Sequence, residues 1–286
     1  MKKIAVADII AAAAVTAAVG GGAVFHANYA ILGKNLIAED GNMEHDDVYR
    51  LDAKELWLSH RLNSFTASEL NRCTAVKSLM LHCPDNATLA KLGSFEHLDA
   101  LTFFHDDETL TADGMAFISR QPALDTVWFF GTNADLSGIR SDSVRKVILY
   151  GCEISNLSEL ANCPAMEELS CTNLLLGDHL WSQDETDPEV NQYFTDTDGG
   201  EFVIRPMEDV VINYYMDDSS DFAPLDHVKK LSFSDVIFHD ISGILDMDSL
   251  ETLELDDCEM SDADRRALAE KGVTVTDAVK EETDPE

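Results

Sequence analysis

The chain has 286 residues, 45% of them hydrophobic, enough for a sizeable core in one or two domains. Acidic side chains number 54 against 20 basic ones, giving a formal net charge of −34 at pH 7. That balance argues against nucleic acid as a partner, because phosphate binding needs basic patches, and it describes a soluble, self-repelling surface.

The first thirty residues differ from the rest. Lys2 and Lys3 precede 22 mostly apolar residues, Ile4 to Phe25, whose single charge is Asp8. A secretory signal has an apolar region of about 7–15 residues, whereas a spanning helix needs about 20. The run therefore has spanning length, although it is rich in alanine and broken by Gly20-Gly21-Gly22. Residues 1–30 are expected to be a signal-anchor helix or a cleaved signal peptide, with residues 4–25 as the one membrane contact if uncleaved. Cleavage after Ala23 has small residues in the right places, and cleavage after Ala30 is poorer because of Asn28. The two lysines hold the N-terminus in the cytoplasm and put the acidic body outside, tethered or secreted. Residues 31–52 are expected to form a linker and an N-terminal cap.

From Ala53 a spacing recurs. VRKVILYGCEI (Val144–Ile154) and LETLELDDCEM (Leu250–Met260) match position for position, and looser copies start at Ala53, Val76, Leu98, Leu124, Met166, Met207 and Val228. Successive starts lie 23, 22, 26, 20, 22, 41, 21 and 22 residues apart, and VTVT at Val273–Thr276 would add a last rung. In each copy two apolar residues flank one other residue. On a strand that puts the pair on one face and the middle residue on the other. Between strands the apolar residues fall at every third position, as in Leu157, Leu160, Cys163, Met166 and Leu169. That spacing suits a tight 3₁₀ or extended return better than a full α-helix. The 26-residue step holds Thr111 to Ser119, which could make a short true helix.

This pattern resembles the leucine-rich-repeat family, whose unit is L-x-x-L-x-L-x-x-N/C-x-L with a period of 20–29 residues, and in particular its 22-residue, internalin-like class. The resemblance implies an α/β solenoid: a curved arc with a parallel β-sheet on the concave face and 3₁₀, short helical or extended returns on the convex face. It covers about residues 53 to 278. The 41-residue step marks an insertion at about 177–205, with a degenerate extra repeat around Val190 as the alternative. Ser261 is the expected N-cap of a closing helix through Lys271, with Gly272 as its stop. Residues 279–286 are an acidic tail expected to be disordered. Cys152 and Cys258 take the N/C turn position, Cys73 and Cys163 one equivalent return position and Cys171 a core strand position. Most of the six cysteines are therefore expected to be buried free thiols.

The alternation also says which residues face outward. On the first five rungs they include Trp57, Met80, Phe104, Trp128, Phe130, Ile148 and Tyr150, whereas the last rungs show serines and acids. Large exposed apolar patches mark interaction sites, and tryptophan and tyrosine are favoured there. The expected function is an extracytoplasmic binding module that recognises a protein partner through this aromatic concave face. A structural spacer whose concave face is covered by its own insertion and a glycan- or peptidoglycan-binding module are the alternatives. No catalytic residue, metal site or cofactor is indicated. His60, His82 and His105 fall near equivalent rung positions, and His105 to Glu108 is dense in possible ligands, but no HExxH, Cys-x-x-Cys, P-loop, G-x-S-x-G or calcium-loop spacing occurs.

Overall fold

A computed structural model describes residues 27–31, 48–58, 64–82, 84–176, 181–185 and 212–278. The apolar run at 4–25, most of the expected linker, the bulk of the expected insertion and the acidic tail lie outside these residues.

Strand β1 (Tyr29–Ile31) pairs antiparallel with β2 (Val48–Arg50). Ala30 of β1 is fully buried in the main core, and the Tyr49 hydroxyl donates to the Trp57 carbonyl at 2.7 Å. This hairpin-like pair is joined to the first rung, β3 (Glu55–Leu58). Then come β4 (Ser78–His82), β5 (Ala100–Leu110), β6 (Thr126–Asp135) and β7 (Lys146–Tyr150). After these follow β8 (Glu153–Ser155), β9 (Glu168–Thr172), β10 (Leu175–Leu176), β11 (Trp181–Glu185) and β12 (Ile212–Met216). The last four strands are β13 (Lys230–Ser234), β14 (Val236–Phe238), β15 (Thr252–Asp256) and β16 (Thr274–Asp277).

Nine of these strands form one parallel ladder in the order β3-β4-β5-β6-β7-β9-β13-β15-β16. Sequence order and spatial order agree throughout, as they must when each unit stacks only on its neighbours. Register aligns the inward side chains in two columns. Leu56, Leu79, Leu101, Val127, Val147, Leu169, Leu231 and Leu253 form one; Leu58, Leu81, Phe103, Phe129, Leu149, Cys171, Phe233 and Leu255 form the other. All sixteen are buried. The every-third-residue apolar positions of the returns close the other side of the core: Leu89, Leu92, Phe95 and Leu98, Leu157, Leu160, Cys163 and Met166, and Ile241, Ile244, Met247 and Leu250 are all buried. The fold is therefore a leucine-rich-repeat solenoid.

The returns are mixed. Residues Leu157–Asn162 and Ser220–Phe222 are 3₁₀ turns, as the three-residue spacing predicts. Short α-helices occupy Ser64–Leu70, Asn86–Leu89 and Ser242–Asp246, and the longer unit holds the expected helix, Ala112–Ser119. The closing helix runs Asp262–Lys271. The Ser261 hydroxyl accepts from the Asp264 N–H at 3.2 Å, and Gly272 ends the helix at φ 93°.

One repeat expected from the sequence is not a rung. Strand β9 pairs directly with β13, so nothing from the Met207 unit enters the main ladder. Residues 212–216 instead pair antiparallel with β11 and parallel with β14, in a separate three-stranded sheet. The repeat spacing around Ile212 does mark a strand, but alternation alone does not say which sheet a strand joins. The unit from Met166 to Val228 is one enlarged repeat, entered through β9 and β10 and completed by β12 and β13.

The turns off five of the rungs, β6, β7, β9, β13 and β15, use the same device. Gly131, Gly151, Asn173, Asp235 and Asp257 have φ of 59°, 60°, 48°, 61° and 49°, and each directly follows its rung's last outward residue. This left-handed conformation is open to glycine and next most accessible to Asn and Asp. The following residue turns inward: Cys152 is buried with Sγ 3.1 Å from the Phe129 carbonyl and 3.2 Å from the Tyr150 carbonyl. Thr132 makes the same pair of contacts one rung earlier, at 3.4 Å to Phe103 and 3.2 Å to Phe130, and Cys258 repeats them at 3.4 Å to Phe233 and 3.3 Å to Asp256. Each such side chain ties its own strand end to that of the preceding rung.

Candidate functional site

The outward face of the ladder carries side chains in three columns. The middle one runs Trp57, Met80, Thr102, Trp128, Ile148, Ser170, Ser232, Glu254 and Thr276. Beside it runs His82, Phe104, Phe130, Tyr150, Thr172, Ser234 and Asp256. The third, at the strand starts, is mostly polar or charged. Bulky apolar residues thus occupy the first five rungs and small hydroxyls the next ones.

The second column is a stack of rings. His82 and Phe104 have centroids 5.6 Å apart and tilted by 32°, Phe104 and Phe130 are 4.8 Å apart at 10°, and Phe130 and Tyr150 are 4.7 Å apart at 3°. The last two separations are the spacing of neighbouring strands, so the parallel register itself brings Phe104, Phe130 and Tyr150 face to face. Each such pair adds about 0.5–1.5 kcal/mol beyond the area it buries. The stack turns ring faces toward one another and ring edges toward water.

The exposed aromatic residues are those the alternation indicates. Trp57 is 67% exposed, Trp128 and Tyr150 are 42%, and Phe130 is 36%, while Met80 and Phe104 are half-buried. Ile148 departs from expectation: it faces outward in register with Trp128 and Ser170, yet only 9% of it is exposed. It is a short side chain, in register with the larger Trp128 and two residues before Tyr150 on its own strand. Sequence alternation gives direction, not the height of neighbours.

The strand-start flank is a belt of ion pairs. Lys77 meets Asp99 at 3.7 Å, Arg145 meets Asp125 at 2.6 Å, and Lys229 meets Glu167 at 2.5 Å. Lys146 pairs with Glu168 at 2.9 Å, and Lys230 with Glu254 at 2.8 Å. The Ser232 hydroxyl also donates to Glu254 at 3.1 Å; the Lys230 bond first, then this one, hold the Glu254 carboxyl below its usual value against burial. Asp256, at the far end of the ring column, is exposed. It borders a depression of about 390 Å³ shared with Ser232, Ser234, Glu254, Thr276 and Asp277. The serines and acids of this end are those the outward positions of the last rungs indicate, whereas the left-handed corners are signalled in the sequence only by Gly, Gly, Asn, Asp and Asp at one fixed position.

Five cysteines, Cys73, Cys152, Cys163, Cys171 and Cys258, are free thiols; Cys258 is half-buried and the others buried. Burial pushes Cys73 and Cys163 up to about 11 and raises Cys171 further. These are packing groups rather than nucleophiles. Among the described residues no group of three His, Cys, Asp or Glu is placed to hold a metal ion, and no helix is long and apolar enough to cross a membrane. The side chains of His60 and His105 lie outside the described residues. His82 is a member of the ring stack.

The architecture is a leucine-rich-repeat type of solenoid with an aromatic sheet face. No family model and no curated protein matches the chain. Among solved structures it is similar to an internalin C2 from Listeria monocytogenes strain 4b F2365, at 16% identity over 81% of this chain and 85% of that one, with a TM-score of 0.48. The assignment of fold rests on the ladder order and register described above.

Proposed function

We propose that this protein is a non-catalytic binding module that recognises a protein partner through Trp57, Met80, Phe104, Trp128, Phe130 and Tyr150, with Ile148 packed low among them. The observation that carries the reading is four large aromatic side chains between 36% and 67% exposed on one continuous sheet face. Monomeric soluble proteins seldom leave such a patch to water. A protein partner fits better than a sugar. Sugars stack on open ring faces, and here the faces of Phe104 and Phe130 are taken by neighbouring rings. The reading places the solenoid outside the cytoplasm, held by residues 4–25 or released after cleavage, as the basic start and apolar run suggest.

The test is capture from cell-envelope and extracellular fractions by the full chain and by a Trp128→Ala, Phe130→Ala double variant. The variant should lose captured partner at least tenfold while keeping its far-UV spectrum, since both side chains point away from the core. Undiminished capture by a folded variant would remove the face from consideration.

A further inference from the structure

Within the protein-binding reading, and resting on it, we infer that the partner presents an extended segment whose apolar side chains sit on the ring stack and whose Lys or Arg reaches the Asp256 depression. Three observations lead there.

The first is charge complementarity. Lys77, Arg145, Lys146, Lys229 and Lys230 border the face on the strand-start side, and each is already ion-paired with an acid of this chain. An acidic partner would have to compete with those internal carboxylates, against a formal net charge of −34. On the opposite side the ring column ends at Asp256, with Asp235 and Asp257 at the adjoining corners. Within the depression Glu254 is paired with Lys230 and Asp277 with Arg265, so Asp256, which is exposed, is the carboxylate that a partner's cation would meet.

The second is relief. From Tyr150 onward the second column falls to Thr172 and Ser234, and the middle column falls from Trp128 and Ile148 to Ser170 and Ser232. Tyr150 is the last ring, so its outer face looks along the floor of hydroxyls that leads to the depression at Asp256. Thr172 and Ser234 are small and half-buried, and a long side chain laid over them would set its stem against the ring and its charged head at the carboxylate.

The third is distance. From Tyr150 to Asp256 the ladder advances three strands, β7 to β9, β13 and β15. At ~4.8 Å per strand this is ~14 Å, or roughly four residues of an extended chain lying across the strands. The segment that fits carries an apolar cluster and a basic residue about four positions away.

A random dodecapeptide display library, selected on the immobilised full chain and counter-selected on a Phe130→Ala, Tyr150→Ala variant, tests this. Binders that need the stack should be enriched in Lys or Arg about four positions from an apolar cluster. Synthetic copies should bind an Asp256→Asn variant roughly two- to fivefold more weakly, the size of a surface ion pair, and lose much of their salt dependence with it. Stack-dependent binders without a basic residue, or with affinity indifferent to Asp256→Asn, overturn this inference and leave the binding face standing. A library that yields no stack-dependent binder overturns both.

Discussion

At the scale of single residues, the five left-handed corners constrain which residue can stand there. A left-handed φ costs an ordinary residue about 1–2 kcal/mol. Gly151 has φ 60°, and open space lies where a Cβ would be. Gly151→Ala should therefore cost about 1 kcal/mol from backbone strain alone, while Asp235→Gly should be close to neutral; urea denaturation midpoints measure both. Equal effects would mean that the corners do not depend on left-handed tolerance. The thiols give a pH prediction. Cys73 and Cys163 hold their protons up to about 11 because they are buried, against 9.0 for a free thiol. Above pH 9 the unfolded chain ionises them while the folded chain does not, so stability should fall as pH rises from about 9 to 11. Below 9 both states are protonated and the term is silent. Replacing Cys73 and Cys163 by alanine should flatten this slope while lowering stability at pH 7 through the cavities it leaves.

At the scale of elements, the strands, their facing and the closing helix were legible because each follows from a short-range rule. Apolar alternation gave Leu253 and Leu255 inward and Glu254 outward, and Ser261 with Gly272 bracketed the helix as read. Long-range pairing was not legible in the same way. The strand around Ile212 alternates like any rung, and only its partners, Asp184 and Val236 among them, place its segment in a different sheet. One connection between returns is equally hidden in sequence. The Ser219 hydroxyl donates to Asp240 at 2.7 Å and accepts from the Gly243 N–H at 2.8 Å, while a Cβ on Gly243 would run into the Ser219 carbonyl. Gly243→Ala should therefore destabilise by more than 3 kcal/mol, well beyond the roughly 1 kcal/mol gain expected for Gly to Ala in an unobstructed helix. Burial works to raise the Asp240 carboxyl, but hydrogen bonds from Ser219 and Ser242 outweigh it and hold the group below its usual value. The staple is thus intact above pH 3.8 and should weaken as pH falls below it.

At the scale of the whole molecule, the direction of the solenoid and all of its rungs were readable from the period, which also suggested one rung too many at Met207, and the site's composition was readable from the outward positions. The burial of Ile148 and the stacking of Phe104, Phe130 and Tyr150 were not, since both depend on side-chain size in neighbouring rungs brought into register. The main ladder passes from β9 to β13 without using the long segment between them. Joining Glu185 to Ile212 through Asn-Gly, a turn suited to antiparallel strands such as β11 and β12, should leave the far-UV spectrum and the cooperative thermal transition in place. Loss of the transition would show that residues 186–211 belong to the core. The opposite end behaves differently. Ala30 is buried in the core, so a chain beginning at Val24 should keep full stability, and one beginning at Ile31 should lose the cap. A secreted form should accordingly start nearer residue 24 than residue 31.

The placement of the tryptophans has an optical consequence. Trp57 and Trp128, two of only three in the chain, stand on the outward face, 67% and 42% exposed. Emission from water-facing indoles shifts to shorter wavelength when they are covered. The face therefore carries its own unlabelled reporter, and occupancy by any partner should be visible as a blue shift that a Trp57→Phe, Trp128→Phe variant no longer shows.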